Sequence, residues 1–514
     1  MVALGIAAVL GAAWMIIAPR TADLAAQIYR VGLFKREGFA LWDNAWFGGH
    51  HIPGYSVLFP PLGSLIGARA LGLIAVATSA VLFADLMRRH YKGPLHWAVA
   101  WFAVVAVGDL FIGRLTFALG VTAALACLAA VSHRRYWLAM PLAIATPAAS
   151  PVAGIFLGFV LVVIWTRLRP RARVYLLALV TAGVAAMAFV FPDGGQQPYD
   201  FAAALVAFVI VIAVYVQLAP SEVVLRRATA LYAAAVAAAY ILPTPMGSNV
   251  ARLSVLVAGP LFITSRRRSP RVLVVLTCVA IGLWQAWAPV TETGKAAVTD
   301  ANQQTYFKPL LAELERVGAH AGRVEVVPTA TRWESVYVAR DFAMARGWET
   351  QLDRAYNGLF YKDEIPPATY HRWLQAEGVR FVAVSDAPTE RWGTVESRLI
   401  ASRPSYLRPV WRSAHWQLFA VRGARGLAGP GQTVVLRPEG FVLTMPRPGV
   451  ATVRVRWTNY WTVVPHGCVR RARDGFTRVF APTAGTYVVQ AHWSLGATFA
   501  DDGSCKPASL RPSP

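Results

Sequence analysis

Three separated stretches carry residue types from which a proton-transfer or phosphate-binding site can be built. The first, "TADLAAQIYRVGLFKREGFALWDNAWFGGHHIPGYSVLFPP" (residues 21–61), holds Asp23, Arg30, Trp42, Asp43, His50, His51 and Tyr55. The second, "VGDLFIGRLTF" (107–117), holds Asp109 and Arg114, and the third, "GSNVARL" (247–253), holds Arg252. A carboxylate can take the proton of an attacking hydroxyl, and a guanidinium presents permanently charged, planar donors to a phosphate oxygen. Plainer readings stand beside these. Asp23 suits the first turn of a helix, where the macrodipole favours an acid. Asp109 and Arg114 can pair with each other, Arg252 can snorkel to lipid headgroups, and Asp43 can form a turn. His50 and His51 are adjacent, so their side chains diverge, and no HxxxH spacing supports a metal there.

The elements that must position these groups are mostly apolar. Of 514 residues, 56% are hydrophobic and 15% charged, against about 25% charged in an ordinary soluble chain. Mean hydropathy is +0.44. The apolar excess lies before about residue 289, so residues 1–288 are expected to form a polytopic α-helical membrane domain. The clusters "RRHYK" (88–92), "HRR" (133–135), "RLRPRAR" (167–173), "RR" (226–227) and "RRRSPR" (266–271) separate apolar runs. By the positive-inside rule these loops are cytoplasmic, giving about eleven crossings with the amino end inside and everything after residue 288 outside the cytoplasm. The opening run lacks a basic flank and is long for a signal sequence, which favours an uncleaved helix. The formal charge of +23 follows partly from this topology and partly from anionic lipid or phosphate ligands. No long basic tail or aromatic–basic RNA motif accompanies it, so nucleic acid is not an expected partner.

Several crossings are too short for a plain span. From His96 to Gly108 the chain covers about 20 Å as a helix, against a hydrocarbon core of about 30 Å. The segment "WLAMPLAIATPAASPVAGIFLGFVLVVIW" must go out and back in two pieces punctuated by Pro141, Pro147 and Pro151, and "LSVLVAGPLFITS" after Arg252 is equally brief. Broken backbone at membrane depth is tolerated where it lines a cavity. A hydrophilic hollow open to the outside is therefore expected, roofed by the 21–61 loop. In that loop "ADLAAQIYRVGLFKREGFA" has helical apolar spacing and suits a helix lying on the outer membrane surface, with Thr21 capping its start. "WDNAWFGGHHIPGY" follows as an aromatic, Gly-rich turn at the interface.

Residues 289–428 alternate helical and extended patterns and are expected to form a small α/β domain. Residues 429–507 show short alternating strands, expected as a β-sandwich, and 508–514 as a disordered tail. Cys468 and Cys505 fall in this outer part, where a disulfide persists, whereas Cys127 and Cys278 lie in apolar runs as packing residues. The "WTNYW" patch (457–461) could stack on sugar rings or simply be core. No Ser-His-Asp spacing, zinc motif, P-loop or dinucleotide fingerprint stands out.

An acid just after the first membrane helix, an amphipathic loop helix, a W…GG…GY…PPL re-entry and a carboxy-terminal outer domain together resemble the GT-C glycosyltransferase superfamily. More narrowly, they resemble its bacterial branch labelled 6-pyruvoyl-tetrahydropterin synthase-related membrane proteins, a label that is not evidence of pterin chemistry. The resemblance implies a polyprenyl-phosphate-linked sugar as donor and a cell-envelope glycan or lipid as acceptor, used on the outer face of the membrane. It implies Asp23 as base or as organiser of a divalent metal (Mg or Mn), and Asp109 as the second acid. This chain has no tandem DD or ED in its first loop. Arg114 and Arg252 would then meet the departing lipid phosphate, and Arg30, Trp42, Asp43, His50, His51 and Tyr55 would contact acceptor or lipid. Two rivals stand beside it: a transporter or flippase of lipid-linked intermediates, and a non-catalytic glycolipid-binding scaffold. For the first, the loop "MRRHYKGPL" lacks the major-facilitator pattern.

Overall fold

The computed structural model describes residues 2–267, 269–500 and 503–505. The expected tail at 508–514 lies outside the described residues. The chain forms two compact units: residues up to 35 together with 54–298, and residues 36–53 together with 299 onward. The boundary falls later than residue 288 because one helix runs unbroken from Arg271 to Ala297, and residues 36–53 join the second unit.

The first unit is helical. Its helices are α1 (Val2–Ile17), α2 (Ala22–Glu37), α3 (Phe59–Ile66), α4 (Ala68–His90), α5 (His96–Ile112), α6 (Leu115–Ser132), α7 (Tyr136–Ala149), α8 (Pro151–Val163), α9 (Pro170–Val190), α10 (Phe201–Gln217), α11 (Val223–Ile241), α12 (Ala251–Ser265) and α13 (Arg271–Ala297). Among the described residues six stretches are long and apolar enough to cross a membrane: α4, α6, α9, α11, α13, and Gly247–Ser265, in which a short 3-10 turn leads into α12. Arg252 therefore lies inside a membrane-length stretch, not ahead of a short run. Four shorter apolar helices accompany them: α5, α7, α8 and α10. The proline-punctuated segment does break in two. Ser150 separates α7 from α8, accepting from the Ala153 N–H as an N-cap while Pro151 takes the first helical position.

Helix α5 is central, packing against α1, α4, α12 and α13. Small residues let it approach its neighbours: Ala3, Ala7 and Gly11 lie with Trp14 along the buried stripe of α1. Gln285 of α13 accepts from the Trp101 indole of α5 at 2.6 Å and donates to the Val255 carbonyl of α12 at 2.6 Å. A polar side chain at membrane depth is thus satisfied inside the bundle. The outer faces carry Phe189, Phe201, Ile241, Val272 and Trp287, all exposed, as hydrocarbon contact requires.

The second unit contains a two-stranded ladder of β1 (Trp42–Asp43) and β2 (His50–His51), a four-stranded sheet and a sandwich of two further sheets. Strands β3 (Arg323–Val326), β4 (Val379–Ser385), β5 (Leu407–Arg412) and β6 (Trp416–Val421) form a sheet of order β3-β4-β6-β5, parallel only between β3 and β4. Helices Gln304–Arg316, Pro367–Ala376 and Gly393–Ala401 accompany it. The sandwich region comprises β7 (Thr433–Arg437), β8 (Gly440–Met445), β9 (Gly449–Arg456), β10 (Trp461–Val464), β11 (Cys468–Arg471), β12 (Phe476–Ala481) and β13 (Gly485–Ala491). Its two antiparallel sheets have orders β10-β13-β8-β7 and β11-β12-β9. Alternate residues such as Ala451, Val453 and Val455 of β9 are buried, the period-2 pattern of a strand with one covered face. Cys468 and Cys505 are joined by a disulfide.

Candidate functional site

Helix α1 ends at Ile17, and the chain turns by 81° into α2. The sequence reading laid α2 on a membrane surface. Within the protein Leu24, Ala25, Ala26, Gln27, Tyr29, Arg30, Val31 and Leu33 of α2 are buried, while Lys35, Arg36 and Glu37 at its end are exposed. Asp23 sits in its first turn as expected. The Thr21 hydroxyl donates across to the Ile112 carbonyl at 2.8 Å, tying the start of α2 to the end of α5.

The end of α5 is a turn that only glycine can make there. Gly113 has φ +96°, and a Cβ on it would lie 2.4 Å from the Leu24 backbone nitrogen. Gly113 thus reverses the chain and lets α2 touch the turn. Its N–H and that of Arg114 both return to the Asp109 carbonyl, at 3.0 and 2.9 Å. Asp109, on the last turn of α5, and Arg114, at the head of α6, are thereby brought to Asp23.

Arg114 lies between the two acids. Its Nε donates to Asp23 Oδ2 at 3.3 Å, and its Nη1 is 3.6 Å from Asp109 Oδ1. Asp109 is almost fully covered, at 6% side-chain exposure, whereas Asp23 keeps 27% and Arg114 22%. Arg252 comes from α12, stacks over the Phe117 ring at 5.3 Å, and interacts electrostatically with Arg114, Tyr55, Asp23 and Asp109. Tyr55 also interacts with Arg114 and lies under the Arg30 guanidinium at 4.2 Å. Asp23, Arg30, Tyr55, Asp109, Arg114 and Arg252 therefore belong to one cluster drawn from α2, the loop after it, the α5–α6 turn and α12. Within it Arg114 and Arg252 are the cations that act on Asp23 and Asp109, while Arg30 lies over Tyr55.

Gln27, one turn beyond Asp23 and fully buried, was missed in the sequence. Its spacing from Asp23 and from Arg30 was the available signal, since such positions share a helix face.

Trp42, Asp43, His50 and His51 are not part of this cluster. They belong to the second unit and are buried there. A two-residue ladder pairs Trp42 with His51 and Asp43 with His50. Trp42 meets the edge of Trp461 at 5.3 Å, His51 Nε2 lies 3.0 Å from the Thr458 hydroxyl, and the Asn44 amide donates to the Arg437 and Gly440 carbonyls. The Gly-Gly pair has a steric cause, because a Cβ on Gly49 (φ +124°) would lie 2.2 Å from the Trp42 ring. Trp461 and Tyr460 of the "WTNYW" patch are buried in the same place, so they serve as core.

A second buried charge cluster, in the α/β region, escaped sequence reading. Arg346 pairs with Asp353 at 2.7 Å and Glu396 at 3.1 Å, with Glu325 at 3.9 Å. Burial, then repulsion from Glu396, holds the Glu325 carboxyl well above its ordinary range. Burial also disfavours ionised Asp353, but Arg346 outweighs it and holds that group below the ordinary range. The Tyr370 hydroxyl donates to Glu396 at 2.7 Å. The four charged residues are spread from 325 to 396 without a motif, and they specify the core of this region.

The donor set around Arg114 does not suit a resident divalent cation. Its two carboxylates share one guanidinium, and among the described residues no group of three or more His, Cys, Asp or Glu side chains gathers to hold a metal. No protein-family model matches the sequence, and no match is found among curated proteins.

Proposed function

We propose that this chain is an integral-membrane glycosyltransferase of the GT-C type, moving a sugar from a polyprenyl-phosphate donor to a cell-envelope glycan or lipid acceptor. The observation that carries the reading is the meeting of Asp23, Asp109, Arg114 and Arg252 in one cluster from three distant stretches. In this reading α1, the six long stretches and the four shorter helices make about eleven crossings. The amino end lies in the cytoplasm, and the second unit lies on the outer face, in agreement with the Arg-rich loops.

The reaction needs a base, a receiver for the leaving phosphate and a dry groove. Asp23, the more exposed acid, takes the proton of the acceptor hydroxyl as that oxygen bonds to the anomeric carbon. The bond from that carbon to the phosphate oxygen breaks, and its electron pair leaves with the lipid phosphate. Arg252 and the outer edge of Arg114 face that developing charge. Asp109, covered and paired with Arg114, is a positioning residue for the guanidinium.

The test is sugar transfer from a radiolabelled polyprenyl-phosphate sugar by purified protein. Asp23→Asn should lower turnover at least 100-fold, the usual contribution of a general base at roughly 10²–10⁴, while expression and melting temperature hold. Wild-type turnover in Asp23→Asn would remove that residue from the mechanism. Counterflow of donor lipid without covalent product would favour a transporter instead.

A further inference from the structure

The half of the bundle nearest the Arg-rich loops holds a cavity of about 730 Å³. It is bounded by the carboxy-terminal parts of α4, α6, α8 and α10, the first half of α11, and α12 from Leu253 to Leu261. The wall is almost entirely aliphatic or aromatic, for example Leu128, Phe159, Val214, Leu225 and Val257. The polar groups on it are already engaged. Tyr232 closes the inner end, its hydroxyl donating to the Val250 carbonyl and lying 3.0 Å from Ser254 Oγ, while the Thr229 hydroxyl donates to the Leu225 carbonyl. Such a space offers nothing to water or to a polar solute, and its size falls within the range of about 300–1,000 Å³ typical of ligand pockets. Its walls are membrane-length and shorter apolar helices, so the medium outside it in a membrane is lipid chain.

The mouth is different. His90, Arg134 and Arg167 line it with one acid, Glu222. Arg169, two residues beyond Arg167, stacks over the ring of Tyr136, which is itself part of the lining. An aliphatic interior beneath a predominantly cationic rim complements a molecule with a hydrocarbon chain and an anionic head.

We propose that this cavity is a binding site for an anionic phosphate lipid, its chain between α8, α11 and α12 and its headgroup on Arg134 and Arg167. The mouth lies at the ends of α4 and α6 remote from Asp23, Asp109 and Arg114, so the site is separate from the acid–arginine cluster and does not depend on the activity proposed above.

Full-length protein in nanodiscs is exposed to photoactivatable phosphatidylglycerol or phosphatidylcholine with identical chains, and the labelled peptides are mapped by mass spectrometry. Phosphatidylglycerol should label α8, α11 and α12 roughly 30-fold more than phosphatidylcholine, the scale expected of two arginines at about 1 kcal/mol each at a membrane surface. Val257→Trp should remove that labelling and leave labelling of the outer face of α13 intact. Ala228→Phe is a second filling variant, should the first fail to fold. The double variant Arg134→Glu/Arg167→Glu should erase the headgroup preference. Equal labelling by both lipids, labelling that survives a folded filling variant, or displacement by chain-free glycerol phosphate would each overturn the proposal.

Discussion

Gly113→Ala is the most direct probe of the acid–arginine cluster, because it adds one methyl group without removing any charge. Two penalties follow. The left-handed backbone at φ +96° and ψ +16° costs an alanine roughly 1–2 kcal/mol. The new Cβ would also lie 2.4 Å from the Leu24 nitrogen and 2.9 Å from its Cα, both backbone atoms that no rotamer change can move. Relief requires α2 to back away by about 1 Å, and overpacking of this kind costs about 1–3 kcal/mol. Asp23 precedes Leu24, so the same shift lengthens its 3.3 Å contact with Arg114. A displacement of about 1 Å in a catalytic group is worth roughly 100-fold in rate. Gly318→Ala is the control: it is also left-handed (φ +65°, ψ +47°) but has open space around its Cβ. Thermal unfolding in detergent and sugar-transfer turnover are measured side by side. The expected result is a loss of about 2–5 kcal/mol and about 100-fold in turnover for Gly113→Ala, with a loss of only about 1–2 kcal/mol and unchanged turnover for Gly318→Ala. A Gly113→Ala protein as stable as the control would refute the close approach. One that is destabilised but fully active would refute the link from that approach to chemistry.

The buried cluster of the second unit yields a stability prediction: Asp353→Asn leaves Arg346 short of its nearest anion and should cost about 3–5 kcal/mol by denaturant unfolding, with a loss under 1 kcal/mol counting against the cluster. Stability should also depend on pH through Glu334, whose carboxyl burial pushes up to about 7 from an ordinary value of 4.5. The folded chain then holds a proton that the unfolded chain releases, so this contribution is intact below about 4.5, weakens as pH rises towards 7 and totals about 3 kcal/mol. Glu334→Gln should flatten that part of the pH profile, and an unchanged slope would remove Glu334 as its source. In the 36–53 segment, Gly49→Ala should push Trp42 off Trp461 and lower the melting temperature of the second unit by several degrees, read through tryptophan fluorescence.

Much of this architecture was legible because its signals are local. Arg-rich loops mark where membrane-length helices end, and the separation of α7 from α8 follows from Pro147, Ser150 and Pro151. Alternation in "ATVRVRW" is the burial pattern of β9. The strand-rich character of the region after residue 298 also follows from local alternation, whereas α13 extends to Ala297 and crosses Pro289 without stopping. The burial of Arg30 has a physical source. Arg30, Lys35 and Arg36 read together as charged faces of α2, and charged groups at helical spacing are usually solvated. Here the charges point at one another's partners, so burial and polarity coincide on the same face. No periodicity in one segment can reveal that, because the partners Arg114 and Arg252 lie on α6 and α12. The Arg346 cluster was hidden for the same reason.

The loop that first drew attention does two kinds of work, and the division falls within a few residues. Up to Lys35 it is a helix of the first unit, and its acid and base meet groups of the α5–α6 turn and α12. From Arg36 to Pro53 it is structural material of the second unit. There the aromatic rings and histidines that looked suited to a ligand are consumed in packing: Trp42 and Trp461, His51 and Thr458, Gly49 beneath the Trp42 ring. Aromatic and imidazole groups are ambiguous in sequence because the same apolar body and polar tip serve a sugar or a core equally well. A buried aspartate beside an arginine that stays partly open is less ambiguous. A purely structural pair gains most when both partners are enclosed and fully bonded. Asp109 comes nearer that condition, at 6% exposure against 27% for Asp23, so Asp23 is the acid of the cluster that the proposed reaction would use.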